Sequence, residues 1–316
     1  MINVVDKEYS IARLAKDNLA DVARLHMAVY GKAAADGYFP RKYNTAYTAV
    51  ENVGFIAYAK DKRPVAYYGV IPCFIQFENE VILAAQSADT MTDPQHRYKG
   101  MFVELSNMTF DLCRQLGIRL IFGFPNQNSY HGAVTKLGWK MTEAMTCFTI
   151  PVKGLPLESL AKKIKFFENI YKKYSRFILR KKTLPLNGVS NSVLVDGFAG
   201  IYRNEEYLSY KAYSATRVIS IGNSKIWINN KYGLVIGDME GVDEINLGTI
   251  IHQLKRLAKK LGVKQIQFHC SPGTGLHQLF VKNYKAIPSY PMLFQDFGSS
   301  VPPGKVRFTF ADIDIF

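Results

Sequence analysis

A chain that states part of its content twice has few folds open to it, and this one does so. Leu116-Gly117-Ile118-Arg119-Leu120-Ile121 recurs as Leu261-Gly262-Val263-Lys264-Gln265-Ile266, and the aromatic-lysine pair Trp139-Lys140 recurs as Tyr284-Lys285. The offset is 145 in both cases (261 − 116 and 284 − 139). A constant offset predicts two related units, and a chain of 316 residues is long enough for each to bury its own core. Carried upstream, the same offset sets Arg97-Tyr98-Lys99-Gly100 against Val242-Asp243-Glu244-Ile245. The first copy is thus equipped for an anion, and the second repels one.

The apolar pattern gives both units a mixed α/β character. Tyr9 to Leu14 reads as a strand, and Leu19, Val22, Leu25, His26 and Val29 fall at helical spacing before Gly31, a C-cap. Residues 53–59, 64–77 and 80–92 are rich in Val, Ile, Phe, Tyr and Thr and are parted by charged turns, which predicts an antiparallel meander. A helix over 101–116 and an apolar strand over 120–124 follow. Strand, turn, helix, strand is how a parallel pair is joined. A short helix ending at Gly138 and a strand over 140–150 complete the first unit. The second is expected to repeat this order: Val193-Leu194-Val195, a helix near 205–213, strands across 217–239, a helix over 246–261, a strand over 264–270, a helix over 274–283 and a strand over 286–297. The predicted domains are 1–150 and 189–316, with 151–188 as a basic helical linker.

The formal charge of +14 raises nucleic acid as a partner, but residues 153–182 hold ten Lys or Arg against two Glu, so +8 lies in the linker. Such a local charge does not make a nucleic-acid-binding fold, and none is expected to bind. Leu157, Leu160, Ile164, Phe167, Ile170, Tyr171 and Tyr174 share one helical face there. That face either docks on the protein or gives a weak contact with an anionic membrane surface. No apolar run nears the roughly 18 residues of a membrane span, and a cytoplasmic protein is expected. Cys73, Cys113, Cys147 and Cys270 lie far apart, without metal-site or redox spacing. We expect them to be reduced and structural, with no metal bound.

The sharpest chemical signal is the turn Arg97-Tyr98-Lys99-Gly100 leading into Met101 and Phe102. A helix N-terminus carries unpaired N–H groups and partial positive charge, so it receives phosphate oxygens. Gly100 allows close approach of the backbone, and Arg97 and Lys99 add charge-assisted bonds. Without an anion, cations at that end of a helix are unfavourable. A pyrophosphate suits the turn.

At these residues the chain resembles the GNAT acyltransferase superfamily. Residues 89–102, Asp-Thr-Met-Thr-Asp-Pro-Gln-His-Arg-Tyr-Lys-Gly-Met-Phe, are similar to its strand, turn and helix, in which an Arg/Gln-x-x-Gly-x-Gly/Ala turn holds the pyrophosphate of acyl-coenzyme A. Phe102 stands where the family has a small residue. Asn126–Tyr130 and Lys136-Leu137-Gly138-Trp139 resemble its following motif. The resemblance covers about residues 8–150, and the second half only in its order of elements. It implies two tandem GNAT-like mixed-sheet domains, acyl-coenzyme A as cosubstrate, and a sheet that splays between its fourth and fifth strands to admit the pantetheine.

The resemblance also implies site residues. Gln86 stands where many relatives have a general-base Glu, and glutamine takes no proton at neutral pH. The proton acceptor expected in its place is Asp89, through a water, with Gln86 and Ser87 orienting the acceptor; Asp89 can equally brace the turn. Val134 replaces the usual acid tyrosine, so Tyr130 or His131 supplies the acid or none is needed, and a lone histidine there can also be inert. Asn126, Asn128 and Ser129 either contact the pantetheine or cap a helix. In the second half Tyr202, Arg203, Tyr207 and Trp227 either hold a nucleobase and diphosphate or belong to a core.

The closest functional likeness is to bacterial enzymes that acylate the amino group of a nucleotide-linked amino deoxysugar, such as dTDP-3-amino-3,6-dideoxyhexose, for surface polysaccharide. Both substrates are anionic, which the basic chain suits. A tRNA-dependent peptidoglycan aminoacyl transferase and a non-catalytic coenzyme A-sensing or protein-binding module are the alternatives.

Overall fold

The computed structural model describes residues 8–163, 165–230 and 233–316; Ile164 of the linker reading lies outside them. The chain divides into two compact units, each using two stretches of chain. Unit 1 takes the residues up to Glu143 together with Pro291–Lys305, and unit 2 takes Ala144–Tyr290 together with Val306–Phe316.

Unit 1 opens with β1 (Tyr9–Arg13), α1 (Leu19–Tyr30) and α2 (Tyr38–Lys42). Gly31 ends α1 at φ 66, its N–H bonding the Met27 carbonyl. The predicted meander is β2 (Val53–Ala59), β3 (Pro64–Phe77) and β4 (Glu80–Thr92), all antiparallel. Helix α3 (Met101–Gln115) then crosses to β5 (Leu120–Gly123), which lies parallel to β4. Leu105, Phe110, Leu112 and Cys113 of α3 bury against Val53, Val65, Val70, Ala85 and Ile121. A further helix, α4 (Gln127–Leu137), ends at Gly138. Missing from the sequence reading is α2, a five-residue helix entered from Gly37 at φ 66 and too short to show periodicity.

The strand closing unit 1 is not the expected one. β5 pairs antiparallel with Leu293–Asp296, the end of the last strand, while Thr146–Pro151 of β6 (Lys140–Pro151) pairs antiparallel with a strand of unit 2. The domain limits of 1–150 and 189–316 therefore give way to an exchange of closing strands. Met145–Ile150 and Met292–Phe294 carry the same buried apolar character. Such a pattern states that a strand is buried and not which neighbour it joins.

The stretch read as a linker belongs to unit 2. It forms α5 (Leu157–Lys163) and α6 (Lys165–Arg180), followed by α7 (Ser192–Val195), β7 (Gly200–Ile201) and α8 (Glu205–Lys211). Tyr171 and Tyr174 donate to the carbonyls of Leu261 (2.9 Å) and Lys260 (2.8 Å). Residues 193–195, expected as a strand, are helical because the Asn191 side chain caps the Val193 N–H and starts a turn. The unit continues through β8 (Thr216–Ile221), β9 (Ser224–Asn229), β10 (Leu234–Glu240), α9 (Leu247–Leu261), β11 (Gln265–Cys270), α10 (Gly275–Val281) and β12 (Ala286–Asp296). β10 and β11 are parallel with α9 as crossover, as β4, α3 and β5 are in unit 1. All four cysteines are buried and unbridged, and burial pushes the Cys113 thiol up to about 12. No helix among the described residues is long and apolar enough to cross a membrane.

Candidate active site

In unit 1 the parallel ladder of β4 and β5 ends at Gln86 opposite Phe122. Beyond it β5 stops at Gly123, while β4 runs on to Thr92 paired only with β3. The two strands thus part at Ser87, and β4 turns an edge without a strand neighbour into the opening. Gln86 is buried at the point of parting. The Ser87 hydroxyl donates to Tyr68 Oη at 3.0 Å, and burial raises the Tyr68 phenol well above its usual range, so that group stays protonated.

The turn from β4 to α3 spans eight residues, 93–100, between Thr92 and Met101. Asp93 opens it by accepting the Gln95 N–H. Tyr98 at φ 65 and Gly100 at φ 82 then take left-handed backbone, and both are exposed. Gly100 brings no side chain to cap α3, and its carbonyl takes the N–H groups of Val103 (3.0 Å) and Glu104 (3.1 Å). The N–H groups of Met101 and Phe102 have no hydrogen-bond acceptor among the described residues. Arg97 is exposed, held among the described residues by a 3.4 Å contact from Nε to the Thr92 carbonyl. Lys99 is already engaged, by Glu8 at 2.7 Å and over the Tyr9 ring at 5.4 Å. That pair is exposed and so easily displaced. Phe102 packs against Tyr68 rather than filling the turn.

Asp89, two residues past Ser87, stands at φ 52, a conformation few residues other than glycine adopt. It lies where the register with β3 shifts between Tyr67 and Gly69. Its Oδ2 takes both the Lys42 ammonium (2.7 Å) and the Tyr43 hydroxyl (3.0 Å). Lys42 is buried and Asp89 partly open. Burial first, and the Asp89 charge second, raise Tyr43 well above the ordinary tyrosine range, so it remains a donor. Asp89 Oδ1 has no hydrogen-bond partner among the described residues. Sequence reasoning missed Lys42 and Tyr43, the last residue of the unread α2 and its C-cap.

At α4 the Asn126 side chain accepts the N–H groups of Asn128 (2.9 Å) and Ser129 (3.2 Å), so its oxygen is a helix cap, and Ser129 packs back onto Asn126. Tyr130 donates to Met141 Sδ at 3.3 Å. His131 is exposed beside Thr135, with Nδ1 3.4 Å from Oγ1.

The counterpart in unit 2 is shut by its own residues. The turn from β10 to α9 has six residues, 241–246, two fewer than in unit 1. Asp243 and Asn246 exchange bonds of 3.0 and 2.8 Å between side chain and backbone. An open cleft of about 520 Å³ remains, lined by Asp196, Glu240, Asp243 and Glu244 with Lys282. Asp196 accepts the Gly275 N–H at the start of α10 (2.7 Å). Where β10 and β11 part, after Ile236 and Phe268, segment 306–316 touches both: the Phe316 ring lies against Gly237, and Thr309 bridges to Cys270.

Three of the four residues expected to hold an acceptor in this half are buried instead. The Arg203 guanidinium is bound by Asp238 (2.6 Å) and Asp312 (2.8 Å) and donates to Thr309 (2.9 Å). Trp227 is enclosed, with Nε1 on Thr216 at 3.0 Å, and Tyr207 is also buried. These residues build the core of unit 2. Only Tyr202 is half-exposed.

Comparison with known proteins agrees with this geometry. Residues 10–142 match the family model described as an acetyltransferase (GNAT) domain. No curated protein matches the chain. Among solved structures, the chain is similar to a GCN5-related N-acetyltransferase from Kribbella flavida at 12% identity, with 92% of this chain and 72% of that one covered and a TM-score of 0.57. It is similar to a protein from Pyrococcus horikoshii at 13% identity (98% and 95% covered, TM-score 0.58). It is also similar to Saccharomyces cerevisiae N-myristoyltransferase, solved with bound myristoyl-CoA, at 12% identity (93% and 83% covered, TM-score 0.57). At such identities the likeness carries the fold alone.

Proposed function

We propose that the chain transfers an acyl group from acyl-coenzyme A to the amino group of an acceptor, with the diphosphate held at residues 97–102. The observation that carries this reading is the start of α3. Two backbone N–H groups there lack acceptors, Gly100 leaves them uncovered, and Arg97 has donors to spare beside them. An anion completes that end of the helix. The pantetheine then runs along the open edge of β4 past Gln86, where its amides find backbone partners. Asn128 and Ser129 stand at the start of α4 as further contacts; the Asn126 oxygen is spent on capping.

The acceptor nitrogen attacks the thioester carbon, the thiolate leaves, and the nitrogen gives up a proton. Asp89 Oδ1 receives that proton, directly or through one water. Its other oxygen is fixed by Lys42 and Tyr43, which hold the carboxylate in place. Gln86 and Ser87 border the reacting centre. Tyr130 and His131, on α4, are the available acids for the leaving thiolate.

We narrow the acceptor to a nucleotide-linked amino deoxysugar of surface polysaccharide synthesis. The formal charge of +6 that remains outside residues 153–182 (14 − 8) suits two anionic substrates. With Arg203, Tyr207 and Trp227 in the core, its recognition falls to other residues.

The test is thermal stability with coenzyme A. At 100 times the dissociation constant, binding to the native state alone adds about 2.7 kcal/mol. A clear melting shift with coenzyme A, a further one with a dTDP-amino sugar and none with tRNA are expected. An Arg97→Ala protein that shifts as much as the parent overturns the cofactor site; a shift with tRNA instead of the sugar overturns the acceptor.

A further inference from the structure

Helix α6 presents three faces to its surroundings. Tyr171, Ser175 and Leu179 turn to the protein, with Tyr171 bonded to the end of α9 and Leu179 fully buried. A second face carries the exposed cations Lys172, Lys173, Arg176 and Arg180. The third holds Phe167, Ile170 and Phe177, which are 49%, 48% and 67% exposed, with Tyr174 among them, 38% exposed and anchored by its hydroxyl to the Lys260 carbonyl. Their spacing of three and seven places them in one stripe. A helix that only packs on a protein has no use for large apolar groups in water beside a row of cations.

We propose that this stripe rests in the interface of an anionic lipid bilayer. Large apolar side chains flanked by lysine and arginine are what such an interface takes up, the rings entering the acyl boundary and the cations meeting the headgroups. Charge selects among the occupants of the stripe. Residues 153–182 carry ten Lys or Arg and two Glu. A second copy of the chain would bring the same excess, and the two would repel at the point of contact. Anionic headgroups supply the opposite sign over an extended plane. The exposed Leu155 and Leu160, just ahead in the chain, add apolar surface of the same kind. None of these residues takes part in the proposed coenzyme A site, so this inference stands apart from that reading.

Vesicle sedimentation of the full chain tests it. The protein should pellet with vesicles containing about a third phosphatidylglycerol and stay in solution with pure phosphatidylcholine. Raising the salt until the Debye length falls to about 3 Å should release most of it. A Phe167→Ser, Phe177→Ser protein should bind the anionic vesicles about tenfold more weakly, and Lys173→Glu, Arg180→Glu should do the same. The melting temperature and the coenzyme A shift should be unchanged in both, because all four side chains are exposed. Failure of the parent to bind anionic vesicles, equal binding to neutral ones, or full binding by the Phe variant overturns the proposal. So does sedimentation equilibrium showing a dimer in solution that the Phe variant abolishes, which would assign the stripe to a second copy.

Discussion

At the scale of single residues, Asp89 braces Lys42 and Tyr43, and substitution separates that office from its proposed one as proton acceptor. Asp89→Asn leaves the Lys42 ammonium buried without its carboxylate, and a cost of about 3 kcal/mol is expected. Removing the cation as well, as Lys42→Met with Asp89→Asn, should recover most of that loss in a urea titration, since asparagine tolerates φ 52 and still accepts the Tyr43 hydroxyl. Turnover should stay low in both proteins; activity returning with stability would make Asp89 a brace alone. The sequence pointed to Asp89 but not to its partners, since Lys42 ends, and Tyr43 caps, a helix of five residues that leaves no periodic trace. His269 carries a second prediction. Burial among Tyr290 and Phe310 holds its imidazole down to about 4 from an ordinary 6.5. The folded chain therefore stays neutral there while the unfolded chain takes up a proton. Stability should fall as pH drops from about 6.5 to about 4, by up to about 3 kcal/mol, and level off below. Urea midpoints across that range should show a slope shallower by one proton in His269→Phe than in the parent.

At the scale of elements, the same device, two parallel strands that part beneath a crossover helix, is open in one unit and filled in the other. The elements themselves were legible: the meander, α3, β5 and α4 lie within a residue or two of their predicted places, because each has a strong period or a glycine stop. What fills the second opening was not. Phe316 reaches Gly237 across more than seventy residues of chain, and no local pattern announces a contact of that range. Nor does sequence show that Arg203, Tyr207 and Trp227 face inward, since an aromatic cluster has the same spacing in a core as at a binding wall. A Cβ at position 237 would overlap the Phe316 ring. Gly237→Ala should therefore destabilise the protein by about 1–3 kcal/mol in thermal melts. Gly100→Ala meets nothing within 4 Å but asks alanine to take φ 82. It should cost about 1–2 kcal/mol and weaken coenzyme A binding besides.

At the scale of the whole molecule, the repeat was visible as two halves, while the exchange of closing strands was not, because β6 and β12 each carry a buried, mainly apolar stretch that does not name its neighbour. A fragment ending at residue 143 lacks the Leu293–Asp296 strand on β5 and the Phe297 ring that packs with Phe110. It should be expanded and bind dye, with no cooperative melt, and fusing residues 291–305 to it through a flexible linker should restore one. The ribosome meets the same arrangement in time. At roughly 5–20 residues per second, the nascent chain emerges with β5 already made and its neighbour still uncoded in peptide for more than 160 residues (291 − 124). For those seconds an apolar edge waits unpaired, and shielding it falls to whatever meets the growing polypeptide outside the exit tunnel.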